Sequence, residues 1–409
     1  MTALDPGHDL DRPLDVRPAP TLSGIRAGVR PVLTRLAASA ATREQTRDYA
    51  FAEVRELADQ RIALTGIARA EGGAGGTLRD VTDLVVEIAR ADSSVAQALR
   101  TTFLTAHAVA SGAPVPHRDR VLERLRAGDL FAGTSNERTG GASGAVGTTA
   151  RRVPGGYLVD GDKYYSTGGL YASWFSTAAR TEDGRIIRFS VPFDRDGVER
   201  LDDFDAVGQR LTASGTTRLR AVHVPEEDVV FTDEVEPENP WRGSWAQLYL
   251  AAVQAGIAAR TLDDAVRVVR ETARPIKHST ASTSAEDPYV QETVGQIATR
   301  AQAARAVVLL AAEELGAVAG LTGPAARTAG AAAAVAVAQA SAAAIEASLA
   351  ASELLFDVGG GSLTDRRLGL DRHWRNARTA ANHNPRQWKH AVAGAYHLTG
   401  QEPPTTGLF

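Results

Sequence analysis

The sequence predicts a mainly helical protein with a β domain set into its middle. Three observations carry that expectation. Apolar residues recur at three- and four-residue spacing from Leu22 to about Ala127, and again from Trp241 to near Leu398. Between about residue 130 and residue 232 the period falls to two and hairpin signals appear. With 409 residues, the chain exceeds one ordinary core, so two or three subdomains are expected. The division reads as an arm over 1–20, a helical domain over 21–128, a β domain over 129–235 and a helical bundle over 241–409.

The arm is polar and proline-bearing and lacks the apolar stretch of a signal peptide. A first helix opens at Thr21, with Val29, Val32, Leu33 and Leu36 on one stripe. A second is expected near 43–60. A third begins at Thr77 and carries Val81, Leu84, Val85 and Ile88. A fourth follows Asp92-Ser93-Ser94, a plausible N-cap cluster.

In the β segment, Gly155-Gly156 and Asp160-Gly161 are hairpin signals around Tyr157–Tyr165. Glu182-Asp183-Gly184 joins two further strands, and Thr217–Val224 alternates well. Several short antiparallel strands are expected, followed by a polar connection at Glu236–Pro240. Helices are then expected near 245–272, 287–319, 324–358, 371–380 and 385–396. Short Gly/Pro breaks between long helices imply an antiparallel bundle.

Composition narrows the function. The chain has no cysteine, which excludes disulfides, thiolate nucleophiles and Cys-ligated metals. A net charge of -4 provides no global attraction to nucleic acid or anionic membranes. The alanine-rich stretch 331–355 is broken by Gln339, Ser341, Glu346 and Ser348, so it reads as a buried helix and not a membrane span. The default location is cytoplasmic. No Rossmann fingerprint, P-loop or HExxH occurs. Gly141-Ala-Ser-Gly-Ala145 falls one glycine short of a nucleophile elbow. The nine histidines are scattered, so no metal site is expected.

Four polar clusters lie at the borders of the three parts. Gly133-Thr-Ser-Asn-Glu137, followed by Gly140-Gly141, is either a strand-capping loop or a set of donors for a flat polar ring. Tyr164-Tyr-Ser-Thr-Gly-Gly169 is a hairpin exit or a second such set. Asp357-Val-Gly-Gly-Gly-Ser362 is a helix C-cap or a close-approach loop, with Arg366, Arg367, Arg372, Arg375 and Arg378 nearby. Arg378-Thr-Ala-Ala-Asn-His-Asn-Pro385 places His383 in a loop between two helices, as a structural hydrogen-bonder or a functional group.

These clusters, in this order, resemble the acyl-CoA dehydrogenase superfamily over nearly the whole chain from Leu22 to Gly394. VDGDKYYSTGG, VGQRLTASGTTRLRAVHVPEEDVV and FDVGGGS carry the resemblance. LDRHWRNARTAANHNPRQWK, ADSSVAQ and ARPIKHS with EDPYVQ resemble its two-component flavin monooxygenases, the dibenzothiophene monooxygenase-like subgroup. The resemblance implies an N-terminal helical domain, an antiparallel β-barrel-like domain and a C-terminal four-helix bundle, assembled as a homotetramer.

It further implies a monooxygenase that takes reduced flavin (FMNH2, with FAD as an option) from a separate NAD(P)H-dependent reductase. Such an enzyme uses O2 to oxygenate sulfur, nitrogen or an aromatic carbon of a small organic substrate through a flavin hydroperoxide. On this reading Thr134, Asn136, Ser166 and Thr167 contact the isoalloxazine, and Arg274 is a phosphate partner. Gly360 and Ser362 approach from a neighbouring chain, and His383 lies at the reactive edge.

The chain departs from the subgroup at Ala98-Leu-Arg-Thr-Thr-Phe103, where many relatives carry a histidine-bearing aromatic string. It departs again at Ala380, where some carry a second histidine. The C-terminal segment has no glutamate where one common dehydrogenase version carries its base. An FAD-dependent acyl-CoA dehydrogenase is the alternative reading, and a non-catalytic binding or assembly protein is a third.

Overall fold

The computed structural model describes residues 18–112, 115, 117–138, 145–231, 241 and 243–405. Most of the expected arm, the Glu236–Pro240 connection, Gly140-Gly141 and most of Gly141–Ala145 lie outside the described residues.

The first helical layer contains α1 (Leu22–Thr46), α2 (Phe51–Asp59), α3 (Leu78–Ala91), α4 (Ser93–Ala98), α5 (Arg100–Ala110) and α6 (Arg118–Ala127). Thr21 caps α1 by accepting from the Gly24 amide at 3.0 Å. The helix buries Ile25, Val29, Val32 and Leu36. The single helix expected over 43–60 is two: α1 runs on to Thr46, and Arg47 then turns left-handed with φ 57°. A reciprocal capping box between Thr77 and Asp80 starts α3. The Asp92 carboxylate caps α4 through the Ser94 and Val95 amides.

The sheet contains β1 (Phe131–Gly133), β2 (Thr149–Val153), β3 (Gly156–Lys163), β4 (Trp174–Thr181), β5 (Ile186–Pro192), β6 (Val198–Arg200), β7 (Thr217–Pro225) and β8 (Val230–Phe231). Its order is β6-β7-β3-β2-β4-β5-β8, with β1 also on β4. The sheet is mixed rather than wholly antiparallel, because β1 and β2 both lie parallel to β4. Long connections separate those partners in sequence, and parallel pairing requires such connections. Asp160-Gly161 is a bulge inside β3 and not a hairpin turn, since the register against β7 shifts between Val159 and Gly161. Gly184, at φ 86°, makes the β4–β5 turn.

The second helical layer contains α7 (Ser244–Glu271), α8 (Pro288–Ala317), α9 (Gly323–Leu354), α10 (Arg372–Ala381) and α11 (Arg386–Thr399). Helices α7, α8 and α9 pack mutually, α3 lies on α7, and α10 and α11 lie on α9. Asp287 caps α8, with Pro288 at the first turn. The segment Gly323–Val358 is long and apolar enough to cross a membrane, but 67% of its apolar window is buried inside the protein. It is a core helix, and its many alanines let its neighbours approach closely. One continuous core joins α1, α3, the sheet and the bundle, and includes Trp245 and Tyr249.

Candidate active site

Two of the sequence clusters meet where the sheet faces the first helices. The Asn136 carbonyl accepts from the Tyr164 amide at 2.9 Å, and the Gly133 amide donates to the Thr167 carbonyl at 3.4 Å. The next residue, Glu137, receives the Lys163 ammonium at 2.6 Å. It also accepts from the Gly147 amide and from the Thr148 amide and hydroxyl. Burial alone raises a carboxyl pKa, but Lys163 and the Thr148 donors offset it and hold Glu137 at about 2. Burial lowers the Lys163 ammonium, against the pull of Glu137.

The predicted contacts differ in what they present. Thr134 is buried and its hydroxyl donates to the Ser176 carbonyl at 3.4 Å. Ser166 is buried and its hydroxyl accepts from Thr217 at 2.8 Å. Asn136 is exposed and Thr167 is half-buried. The Thr167 hydroxyl accepts from Ser214 at 3.0 Å, and Ser214 pairs with Thr212 at 2.8 Å. A belt of hydroxyls therefore runs from β7 to the exit of β3.

The helical wall is stitched to this belt. Thr102 of α5 accepts from the Phe131 amide at 2.9 Å and donates to its carbonyl at 3.3 Å. Gly133 leaves room for Thr101, whose hydroxyl would sit 2.7 Å from any Cβ there. Gly168, at φ 83°, packs so closely on the end of α4 that a Cβ would collide with the Ala98 carbonyl.

Behind this wall α5, α7 and the α10–α11 loop come together, beside a recess lined by Gln247, Ala251, Ile345, Asn384 and Lys389. His107 and Trp245 have ring centroids 5.7 Å apart, and Trp245 and Tyr249 meet edge-on at 5.7 Å. The Tyr249 hydroxyl donates to the Ala96 carbonyl at 2.6 Å. Arg100 donates to the Ala246 carbonyl at 3.2 Å. His383 lies on the loop between α10 and α11 and keeps accessible surface. Burial, then the charges of Arg100 and Lys389, press its imidazole down to about 4, so it is neutral at pH 7. Its Nδ1 lies 2.8 Å from Asn384 Oδ1. In the amide orientation the network assigns, Nδ1 carries the proton and Nε2 is left as an acceptor. Lys389, lowered by burial to about 8, donates to Gln247 Oε1 at 3.1 Å.

The comparisons agree with this architecture. Residues 248–388 match the family model for the acyl-CoA dehydrogenase C-terminal domain. A dibenzothiophene monooxygenase from Rhodococcus erythropolis is 28% identical over 90% of this chain and 91% of its own length. The probable FMNH2-dependent monooxygenase SfnC of Pseudomonas putida is 27% identical over 96% of this chain and 98% of its own. The crystal structure of methanesulfinate monooxygenase MsuC from Pseudomonas fluorescens superposes with a TM-score of 0.84. It is 25% identical, covering 94% of this chain and 99% of that one. Over nearly its whole length the chain is similar to flavin monooxygenases of the acyl-CoA dehydrogenase fold.

The residues at the recess fit the superfamily's flavin. The Trp245 Nε1 and Asn384 Nδ2 donors are buried with no hydrogen-bond partner among the described residues, which suits a ligand rich in ring nitrogens and carbonyls. The remaining predicted contacts lie elsewhere in this chain. Arg274, Gly360 and Ser362 are exposed, and they gather where Gly359 approaches Ala273, just past the C-terminal end of α7. Trp245 and Tyr249 stand at the other end of that 28-residue helix, about 40 Å away.

Several recess residues escaped the sequence reading. Trp245 and Tyr249 carry the four-residue spacing of an ordinary core stripe. Asn384 and Lys389 sit inside the string that carried the subgroup resemblance but were not singled out. Arg100 falls within the departure at 98–103, which was the one available signal for it.

Proposed function

We infer that this protein is a reduced-flavin-dependent monooxygenase, the oxygenase component of a two-component system. The observation that carries the reading is His383 on the α10–α11 loop, held through Nδ1 by Asn384 and with no carboxylate acting on it. A dehydrogenase of this fold needs a carboxylate base to take a proton from its thioester. The named relatives, which include a dibenzothiophene monooxygenase and an FMNH2-dependent monooxygenase, support the same class and favour FMN.

Reduced FMN, when bound, supplies two electrons and the position at which O2 is activated, one oxygen atom going to substrate and the other leaving as water. The rest falls to the chain's own residues. Asn136 and Thr167 offer polar contacts at the sheet side, backed by Thr134, Ser166 and the Ser214 belt. Trp245, Tyr249 and Phe103 form an apolar wall that excludes water. His383 holds its proton on Nδ1 against Asn384 and presents Nε2 as a hydrogen-bond acceptor beside the reacting atoms.

The finer reading extends to assembly. Arg274 serves the flavin phosphate, and Gly360 and Ser362 complete the site of a neighbouring chain in a homotetramer. The length of α7 supports this, since it separates the two groups within one chain. The exposed Trp374, Trp388 and Leu398 on α10 and α11 supply apolar surface for such contacts. A separate NAD(P)H-dependent reductase delivers the flavin, which fits a cytoplasmic setting.

The test begins with anaerobic binding of oxidised and reduced FMN and FAD. Admission of 18O2 with a panel of sulfides, amines and indoles follows. Tighter binding of reduced FMN and one 18O atom in the product are expected. Tightly held oxidised FAD that acyl-CoA bleaches would establish the dehydrogenase instead.

A further inference from the structure

Three arginines invite comparison, Arg43 and Arg372 buried and Arg100 half-buried. Arg43 pairs with Asp92 at 2.5 Å and Arg372 pairs with Asp264. Arg100, at the start of α5, has no carboxylate partner among the described residues. Of the five N–H donors on its guanidinium, the one hydrogen bond formed among the described residues is to the Ala246 carbonyl. Its Nε is buried and unsatisfied. Leaving a buried cation without a counterion is costly, and proteins rarely do so without a ligand to complete the pair.

The neighbours do not supply that counterion. Tyr249 donates its hydroxyl to the Ala96 carbonyl, and burial pushes its pKa far up, so it stays neutral. His383 is neutral and Lys389 is a second cation. Arg100 nevertheless remains only half-buried. Burial lowers it only to about 10, so it remains charged at neutral pH. The neighbouring residues Thr101, Leu104, Thr105 and Ala108 are also half-buried along one stripe of α5, so small hydroxyl and apolar side chains run away from the charge.

We propose that the substrate is a small organic oxyanion, with Arg100 binding its carboxylate or sulfur oxyanion group in a bidentate fork and the Leu104 and Ala108 side of α5 holding its carbon skeleton. This rests on the reading of the recess as the oxygenation site, and it names the substrate class that site accepts. A guanidinium suits the geometry, since its parallel N–H pairs match two oxygens of a carboxylate, sulfinate or sulfonate. The anion would occupy the donors that the protein leaves unused, and its position in the recess would orient the rest of the molecule toward His383.

The experiment is a calorimetric titration of the full-length protein, flavin-free and again with FMN, using benzoate, benzenesulfinate and the neutral benzamide. The wild type is expected to bind at least one of the two anions tenfold or more tighter than benzamide. Whichever anion wins identifies the oxyanion type. Arg100→Gln is expected to lose that preference, weakening the anion roughly 30-fold or more, while affinity for reduced FMN changes less than about twofold. Equal binding of all three probes by the wild type would overturn the proposal. A preference that survives Arg100→Gln would do the same, as would an equal loss of reduced FMN, which would assign Arg100 to the flavin. Should Arg100→Gln fail to fold, Arg100→Lys decides, because it keeps the charge without the fork. A threefold or greater loss of anion preference supports the proposal, and an unchanged preference refutes it. Failure of the monooxygenase reading would show separately, as a wild-type protein that binds no reduced FMN.

Discussion

The Lys163 ammonium lies 2.6 Å from Oε1 of Glu137, and the two side chains are 0% and 3% exposed. This pair ties the exit of β3 to the loop that carries Asn136. Lys163→Met removes the ammonium that pairs with the buried Glu137 charge. We expect a loss of about 3–5 kcal/mol, read by urea denaturation. Lys163→Met combined with Glu137→Gln should cost less than the sum of the two single changes, as contacting partners do. The Glu137 pKa is depressed, so its contribution is full above the ordinary 4.5 and is lost as pH falls toward about 2.

Asp264 is a hub in the core. It accepts from Arg372 and His373 and lies within 3.4 Å of Arg260 and Arg267. Burial opposes its charge, but His373, Arg372 and Arg260 hold its pKa well below the usual range. Asp264→Asn strands buried Arg372. It should lower stability by about 3–5 kcal/mol, seen as a lower Tm with the helical circular dichroism retained at 20 °C.

His383 should titrate with a midpoint near 4, below the ordinary 6.5, because burial and the charges of Arg100 and Lys389 lower it. The unfolded chain binds that proton first as pH falls. The stability contributed by neutral His383 is therefore present above 6.5 and lost on the way down to about 4. Its ring signals by NMR check the midpoint. His383→Ala should lower kcat by about 100-fold with Tm little changed, and the wild-type rate should show no inflection near 6.5 arising from this residue.

Gly168 has φ 83°, and a Cβ there meets the Ala98 carbonyl. Gly168→Ala should destabilise by about 1–3 kcal/mol and weaken flavin binding, because it pushes the Thr167 belt away from α4. Thermal melts and an FMN titration would measure both effects.

Much of the fold was legible because its signals are local. The expected helix over 287–319 is α8 at Pro288–Ala317, and Asp287 with Pro288 marks its start on sequence alone. Thr77 and Asp92 announced their helices as N-caps in the same way. The break at Arg47 was hidden, because a left-handed arginine leaves no Gly or Pro signal. The parallel pairings of β4 were hidden as well, since a strand's alternation records its faces and not its partners.

Legibility at the site follows the same division. The hydroxyl-glycine clusters at 133–137 and 164–169 stood out, and they do meet. The recess depends on which α5 and α7 side chains face each other across the core. Arg100 shows this well: in sequence it is one arginine among many, and only packing reveals it as half-buried and without a carboxylate.

The length of α7 has one more consequence. With His383 near one end and the Gly360 loop near the other, the proposed site is divided between two chains. Two variants, each strongly impaired alone, would then complement each other when their subunits are mixed. In a hybrid pair of His383→Ala and Gly360→Asp chains, one site inherits both lesions and the other inherits neither. Activity should thus reappear on co-refolding, a result that sites confined within single chains would never give.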